Sequence, residues 1–260
     1  MMRRHGFRIL GPVSGERRRV NADLALAGYA ACDPRAEVER ESYLSAFAFG
    51  DEFSDHLART GTTRGYRGPT CGGFLWWDVD REGEPDAALR DARALGLHVI
   101  DSMGVPETDL LAFFSGGKGY HLGVPTSLWA PEPGLLFHAI ARAAAEQIAA
   151  TVPGGPIPID VGIYDRVRAF RAPNSRHPRT GLRKRILTLD ELLHLDSGRI
   201  AAMAREPSPF DIPCPKVRSG RAAAVWEEAS REVLERERAV QERLAAVAVA
   251  GGPDHLNVLT

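Results

Sequence analysis

Phe74-Leu75-Trp76-Trp77-Asp78-Val79-Asp80 is an apolar, aromatic run that ends in two carboxylates. In a strand, side chains two residues apart point the same way, so Asp78 and Asp80 share one face. Two hard anionic oxygens converging at a strand end suit Mg²⁺ or Mn²⁺, and a pair of such ions clamps attacking and leaving oxygens in phosphoryl transfer. An Asp-x-Asp at a strand-to-loop junction also serves as turn chemistry or a cap. The flanking sequence therefore has to decide.

Working outward, Gly61 to Gly73 is rich in Gly, Thr and Arg and reads as a loop leading into the strand. Pro85 to Leu95 repeats Ala and Leu at helical spacing behind acidic starter residues. Leu110 to Phe114 and Tyr120 to Val124 are two further strands, paired antiparallel through the glycine-rich turn Ser115 to Gly119. Pro133 to Thr151 is an Ala-rich helix with Leu136, Ile140, Ala144 and Ile148 on one face. Ile157 to Val161 and Arg168 to Ala172 read as short strands, and Pro, Asn, Ser and Gly turns follow to Gly181. Upstream, Val38, Tyr43, Leu44 and Phe47 suggest a helix over Glu37 to Phe49, and residues 1 to 35 form a lead-in with one short helix or strand. This order implies an α+β fold with helices packed on one face of the sheet. The expected divisions are a lead-in over residues 1–36, a main domain over 37–205, and a Pro-rich linker with a C-terminal helix over 206–260.

That last helix spans Arg221 to Ala248, uninterrupted by Gly or Pro, with an apolar stripe of Val225, Ala229, Val233, Val240, Leu244 and Val247. Such a stripe packs on its own domain or on a partner helix. The chain has 260 residues, 44% hydrophobic and 26% charged, enough for a substantial core, and a net charge of -1. A nucleic-acid surface must then come from local clustering. Arg166, Arg168, Arg171, Arg176, Arg179, Arg183, Lys184 and Arg185 form such a cluster, with no acid between them. Three widely separated cysteines, Cys32, Cys71 and Cys214, make neither a disulfide framework nor a zinc site and point to a reducing cytoplasm. No stretch approaches a membrane span, so insertion and export are not expected.

Two further groups carry chemistry. In Phe114-Ser115-Gly116-Gly117-Lys118-Gly119-Tyr120-His121, glycines allow close approach of backbone to an anion, while Ser115, Lys118 and His121 offer a hydroxyl, a charge and a ring nitrogen to phosphate oxygens. This is not a P-loop, because Gly119 and a strand follow where Ser or Thr and a helix are required. Then Asp160 ends an apolar stretch, ahead of Gly162, Tyr164 and Asp165, and Arg168 and Arg171 have the fork geometry that suits triphosphate oxygens. Asp160 completes a three-carboxylate set with Asp78 and Asp80 better than Asp165 does, since it terminates the strand.

With these three groups in this order, residues 37 to 190 resemble the catalytic domain of the archaeo-eukaryotic primase superfamily, in particular its primase-polymerase branch. The acidic pair matches Asp78 and Asp80; the Ser-Gly-x-x-Gly-x-His hairpin matches Ser115, Gly116, Gly119 and His121; the third motif matches Asp160, Gly162, Tyr164 and Arg168 to Arg171. The resemblance implies an RRM-like catalytic sheet with flanking helices and template-directed nucleotidyl transfer, with two Mg²⁺ or Mn²⁺ ions on Asp78, Asp80 and Asp160 and no zinc. It implies that Ser115, Lys118, His121, Arg168 and Arg171 bind the triphosphate of an NTP or dNTP, with His177 a further contact and Arg40 either another or a surface ion pair. Arg67, Arg176, Arg179, Arg183 and Lys184, with Tyr66, are expected along a single-stranded DNA template. Trp76 and Trp77 are divided between base stacking and the core. The chain lacks the zinc module and the helicase of larger family members, so primer extension is better supported than priming from nothing, and residues 221–248 could dock a helicase or helical subunit. The implied role is replication of a plasmid, phage or similar element; an inactive binding protein of the same fold, and a nuclease or cyclic-nucleotide synthase, are the competing classes.

Overall fold

A computed structural model describes residues 4 to 250, with side chains to 247. In chain order the elements are β1 (His5–Leu10), β2 (Arg18–Asn21), α1 (Ala22–Ala30), β3 (Ser42–Ser45), β4 (Ala48–Phe49), α2 (Asp51–Thr60), β5 (Thr70–Cys71), β6 (Phe74–Val79), α3 (Pro85–Met103), β7 (Leu111–Phe114), β8 (Tyr120–Pro125), α4 (Phe137–Ala150), β9 (Ala169–Arg171), β10 (Arg185–Leu187), α5 (Leu189–His194), α6 (Ser197–Met203) and α7 (Gly220–Ala250). The strands form two sheets, one in the order β5-β4-β1-β3-β9 with β2 also on β1, the other in the order β10-β7-β8-β6.

The second sheet grows from a β-α-β-β unit. Strand β6 pairs antiparallel with β8 in the register Asp78↔His121 and Val79↔Tyr120, and β8 pairs with β7. One face of β6 turns Leu75, Trp77 and Val79 into the main core, where they are at most 1% exposed and meet α3 and α4. Trp77 donates from Nε1 to the Ala145 carbonyl at 3.0 Å, so it belongs to the core and not to a base platform. The other face carries Phe74, Trp76 and Asp78, with Trp76 packed against Phe74, Phe113 of β7 and Phe170 of β9. The fourth strand, β10, joins β7, which leaves the outer edge of β6 open to a different neighbour.

Several expectations from sequence are corrected here. Glu37 to Phe49 is not helical: β3 lies between β1 and β9, and β4 pairs with β1 and β5, so cross-strand partners supply the backbone hydrogen bonds. The lead-in contributes two strands and a helix, with β1 central in its sheet, because Phe7 and Ile9 are fully buried. Ile157 to Val161 forms no strand. Pro156 and Pro158 have no N–H to donate, and a 3₁₀ turn, Val161–Tyr164, begins at once. Helix α4 starts at Phe137 because Thr70 and Gly134 exchange two backbone bonds at 3.0 Å, taking the preceding residues into a bridge. The long helix forms as expected, and its first half packs on α4 through Ala229, Val233 and Trp226, the last 4.9 Å from Phe137. Leu234, Val240, Leu244 and Val247 further along are exposed. Pro207 to Pro215 is packed too, with Phe210 edge-on to Phe113 at 5.3 Å and its N–H on the Ala30 carbonyl. Among the described residues no helix is long and apolar enough to cross a membrane.

The β7–β8 hairpin depends on two glycines. Gly116 has φ of +82°, a left-handed conformation that side chains resist. At Gly119 an added Cβ would lie 2.4 Å from the Val79 carbonyl oxygen, so the end of β6 would have to move. Gly119→Ala is therefore expected to destabilise the fold by about 1–3 kcal/mol, read as a lowered midpoint in chemical denaturation. A midpoint equal to wild type would show that the strand end yields freely.

Candidate active site

Asp78 sits on β6 directly across from His121 on β8, and its Oδ1 lies 3.4 Å from His121 Nε2. Asp80, just past the strand, faces Lys118 of the hairpin at 3.2 Å. Asp80 Oδ1 is buried with no hydrogen-bond partner, an oxygen with no protein donor to satisfy it. The open edge of β6 is met by Asp160, whose N–H donates to the Asp78 carbonyl at 2.8 Å. Behind this segment the Tyr164 hydroxyl donates to the Trp76 carbonyl. Sequence positions 78, 80, 118, 121 and 160 are thus gathered at one end of one sheet.

The three carboxylates do not converge equally. Asp160 turns its own Oδ1 to accept from Gly162 N at 2.8 Å, capping the 3₁₀ turn. Among the described residues no three His, Cys, Asp or Glu side chains are close enough together to hold a metal ion. Asp78 and Asp80 nevertheless fit a hard divalent cation by donor chemistry, and the orphaned Asp80 oxygen is where such an ion would be satisfied. The chain so far offers a pair of acids with a third backbone-tethered beside them.

Burial pushes the Asp78 carboxyl up, but His121, Lys184 and Arg168 outweigh it and hold it below the ordinary carboxylate range. Burial and then the Lys184 charge hold His121 below the usual imidazole range, against the pull of Asp78. His121 is therefore neutral at neutral pH, stacked on Phe170 at 4.4 Å, with Nδ1 buried and without a partner.

In the hairpin, Ser115 Oγ accepts from the N–H groups of Gly117 and Gly119, each at 3.2 Å. Those two amides are spent inside the turn, so the turn offers less free backbone to an anion than its glycines suggest. The Ser115 proton remains available to donate. His177 faces Gly117 across a loop contact: a Cβ there would lie 3.0 Å from His177 Nε2. His177 Nδ1 accepts from Arg179 N and Thr180 N, and burial, with Arg171 and Arg179, pushes its pKa down to about 4. It stands beside the hairpin as a neutral Nε2–H donor.

Arg168 is exposed close to Asp160 and Gly162. Arg171 lies half-buried over the Tyr43 ring at 4.9 Å, its guanidinium bonded to Tyr43 Oη and the Arg176 carbonyl. The basic run beyond is only partly a surface. Arg183 is 1% exposed, donates to the Val38 and Asn174 carbonyls, and pairs with Glu39 at 2.5 Å. Lys184 is also 1% exposed: its Nζ lies 4.0 Å from the Phe170 ring centre and donates to the Arg171 carbonyl. Burial holds that amine well below the ordinary lysine range. Neither side chain can follow a nucleic-acid backbone, which corrects the reading from sequence. Arg176 pairs with Glu39 at 2.8 Å, while Arg179 and Arg67 are exposed. Tyr66 is buried edge-on to Phe49 and Phe53, and Arg40 pairs with Glu37 at 2.9 Å. Sequence reasoning missed Glu39 and Tyr43; both act across long chain separations, and only the Arg-rich segment hinted that an acid had to exist.

No protein-family model matches the sequence, and no curated protein matches it. Among solved structures, the chain is similar to the polymerase domain of Mycobacterium tuberculosis ligase D in complex with DNA, at 19% identity and a TM-score of 0.40, over 88% of this chain and 73% of that one.

Proposed function

We propose that the protein is a metal-dependent nucleotidyltransferase of the primase-polymerase kind, which joins nucleotides on a single-stranded DNA template. The observation that carries this reading is the meeting of Asp78 and Asp80 on β6 with His121 and Lys118 of the β7–β8 hairpin, at 3.4 and 3.2 Å. Acids flanked by the Lys118 ammonium, a neutral imidazole and a hydroxyl-bearing glycine turn match what a triphosphate and its counter-ion require. The residues also match the motifs through which the chain resembles that superfamily.

Asp78 and Asp80 would hold a divalent cation, with Asp160 available if its carboxylate leaves the Gly162 cap. When bound, Mg²⁺ or Mn²⁺ supplies Lewis-acid polarisation of the phosphoryl group and lowers the pKa of a hydroxyl nucleophile. Lys118, Arg168 and Arg171 balance charge on the triphosphate and on departing pyrophosphate. Ser115 and His177 donate neutral hydrogen bonds to phosphate oxygens, and His121 keeps Asp78 oriented. Arg67 and Arg179 remain exposed for template phosphates, as a proposal that excludes Arg183 and Lys184.

The test is a gel assay of the full chain with single-stranded DNA, Mn²⁺ or Mg²⁺, and labelled NTPs or dNTPs, with and without an annealed primer. Product without primer marks a primase, and product only with primer marks an extending polymerase. No product in any lane overturns the reading. Arg171→Ala is expected to raise the nucleotide KM by roughly tenfold, as loss of one charge-assisted contact predicts. An unchanged KM would remove Arg171 from the site.

A further inference from the structure

β9 and β10 are the end strands of two different sheets, and no ladder joins them. The candidate site straddles that seam: Arg171 lies on β9, whereas Asp78, His121 and the β7–β8 hairpin belong to the other sheet. Something has to fix one half on the other.

The Lys184 side chain crosses the seam. It is 1% exposed, and a lysine is almost never fully buried unless paired. Its partner is a carbonyl and not a carboxylate: Nζ donates to the Arg171 oxygen at 3.1 Å. That oxygen is free for it because the Ala172 N–H donates toward β3, to the Ser42 carbonyl at 3.0 Å, and the C=O of the same trans peptide points the opposite way, off the edge of the sheet. Three rings close around the amine, with centres at 4.0 Å for Phe170 of β9, 4.9 Å for Phe113 of β7 and 5.0 Å for Trp76 of β6. Phe170 in turn stacks on His121. The Lys184 backbone is tied to the turn after β9, its N–H to the Ser175 carbonyl at 3.0 Å and its carbonyl to Asn174 N at 2.8 Å.

The far end of the Arg171 side chain is held by the Tyr43 ring and hydroxyl and by the Arg176 carbonyl. With its backbone oxygen held as well, the guanidinium is fixed at both ends, and a preorganised fork loses less freedom when it meets a phosphate.

We propose that Lys184 is a positioning residue, a clasp across the seam that fixes Arg171 against the acids of the other sheet. The proposal rests on the reading of Arg171 as a triphosphate contact. Lys184 touches no phosphate and acts through Arg171.

A double-mutant cycle of Lys184→Met and Arg171→Ala in the full chain tests it, read as the nucleotide KM in primer extension and as the Kd of tripolyphosphate in Mn²⁺. Methionine fills the aromatic box without an N–H, so Lys184→Met is expected to melt close to wild type, to raise KM and Kd about fivefold, the worth of one hydrogen bond, and to change kcat by less than about twofold. Combined with Arg171→Ala it is expected to raise neither constant further, because the group it places is gone. Lys184→Gln, whose amide keeps a donor for the carbonyl, recovers part of the loss. Lys184→Leu repeats the cycle if the methionine variant fails to fold. Effects that multiply in the double variant, or a lowered Tm with KM and Kd unchanged, overturn the proposal. A non-additive cycle in tripolyphosphate binding, with no synthesis by the wild type, keeps the clasp and rejects the transferase reading. Synthesis by the wild type with a multiplicative cycle does the reverse.

Discussion

Asp78→Ala loses about a thousandfold or more of nucleotide incorporation while the protein still folds, with a circular dichroism spectrum like that of wild type. The size follows from the several kcal/mol that a metal-held carboxylate site contributes to a phosphoryl transition state. The fold survives because Asp78 is only partly buried, with 19% of its side chain exposed, and its backbone bonds to β8 and to Asp160 N do not depend on the carboxylate. Asp78→Asn is the sharper form, since the amide keeps a polar contact with His121 yet carries no charge for a cation. Incorporation within tenfold of wild type in both variants would refute the metal assignment, whatever the fate of the other acids.

Arg183→Ala, in contrast, is expected to damage the fold first. Its guanidinium bridges the Val38 and Asn174 carbonyls and Glu39 from a position 1% exposed, so truncation leaves buried acceptors unpaired. Leaving two buried carbonyls without a donor costs about 1–3 kcal/mol each, which for a chain of this size lowers Tm by roughly 10 °C. Arg179→Ala makes the control: it should melt with wild type and reduce the salt slope of single-stranded DNA binding by about one. If Arg183→Ala melted like wild type and reduced that slope instead, Arg183 would belong on the nucleic-acid surface after all.

The contrast between these two residues shows how far a linear reading reaches. Strand β6 was legible to the residue because aromatic and apolar side chains filled it and two acids ended it. The antiparallel β7–β8 hairpin was legible because a glycine turn sat between two apolar runs, and α7 because no Gly or Pro broke it. Local propensity and periodicity are contained in adjacent residues. The Ser42–Ser45 strand was misread as helix because its partners, β1 and β9, are 32 or more and up to 128 residues away, in register pairs such as Leu10↔Ser42 and Tyr43↔Arg171. Nothing adjacent in the chain announces them.

The site divides along the same line. Which side chains are candidates for the chemistry, namely Asp78, Asp80, Ser115, Lys118, His121, Asp160, Arg168 and Arg171, was legible in the sequence, because each lies inside a short motif whose residue types are set by charge and turn geometry. Which of them face each other was decided by tertiary structure. The register Asp78↔His121 is a property of two strands in contact, and the Asp160 carboxylate caps its own turn by accepting from Gly162 N at 2.8 Å. Tertiary structure likewise turned Arg183 and Lys184 inward, since Glu39 and the Phe170 ring arrive from distant segments to satisfy them. A charge is written in the sequence; whether it meets solvent or a partner depends on what the folded chain brings beside it.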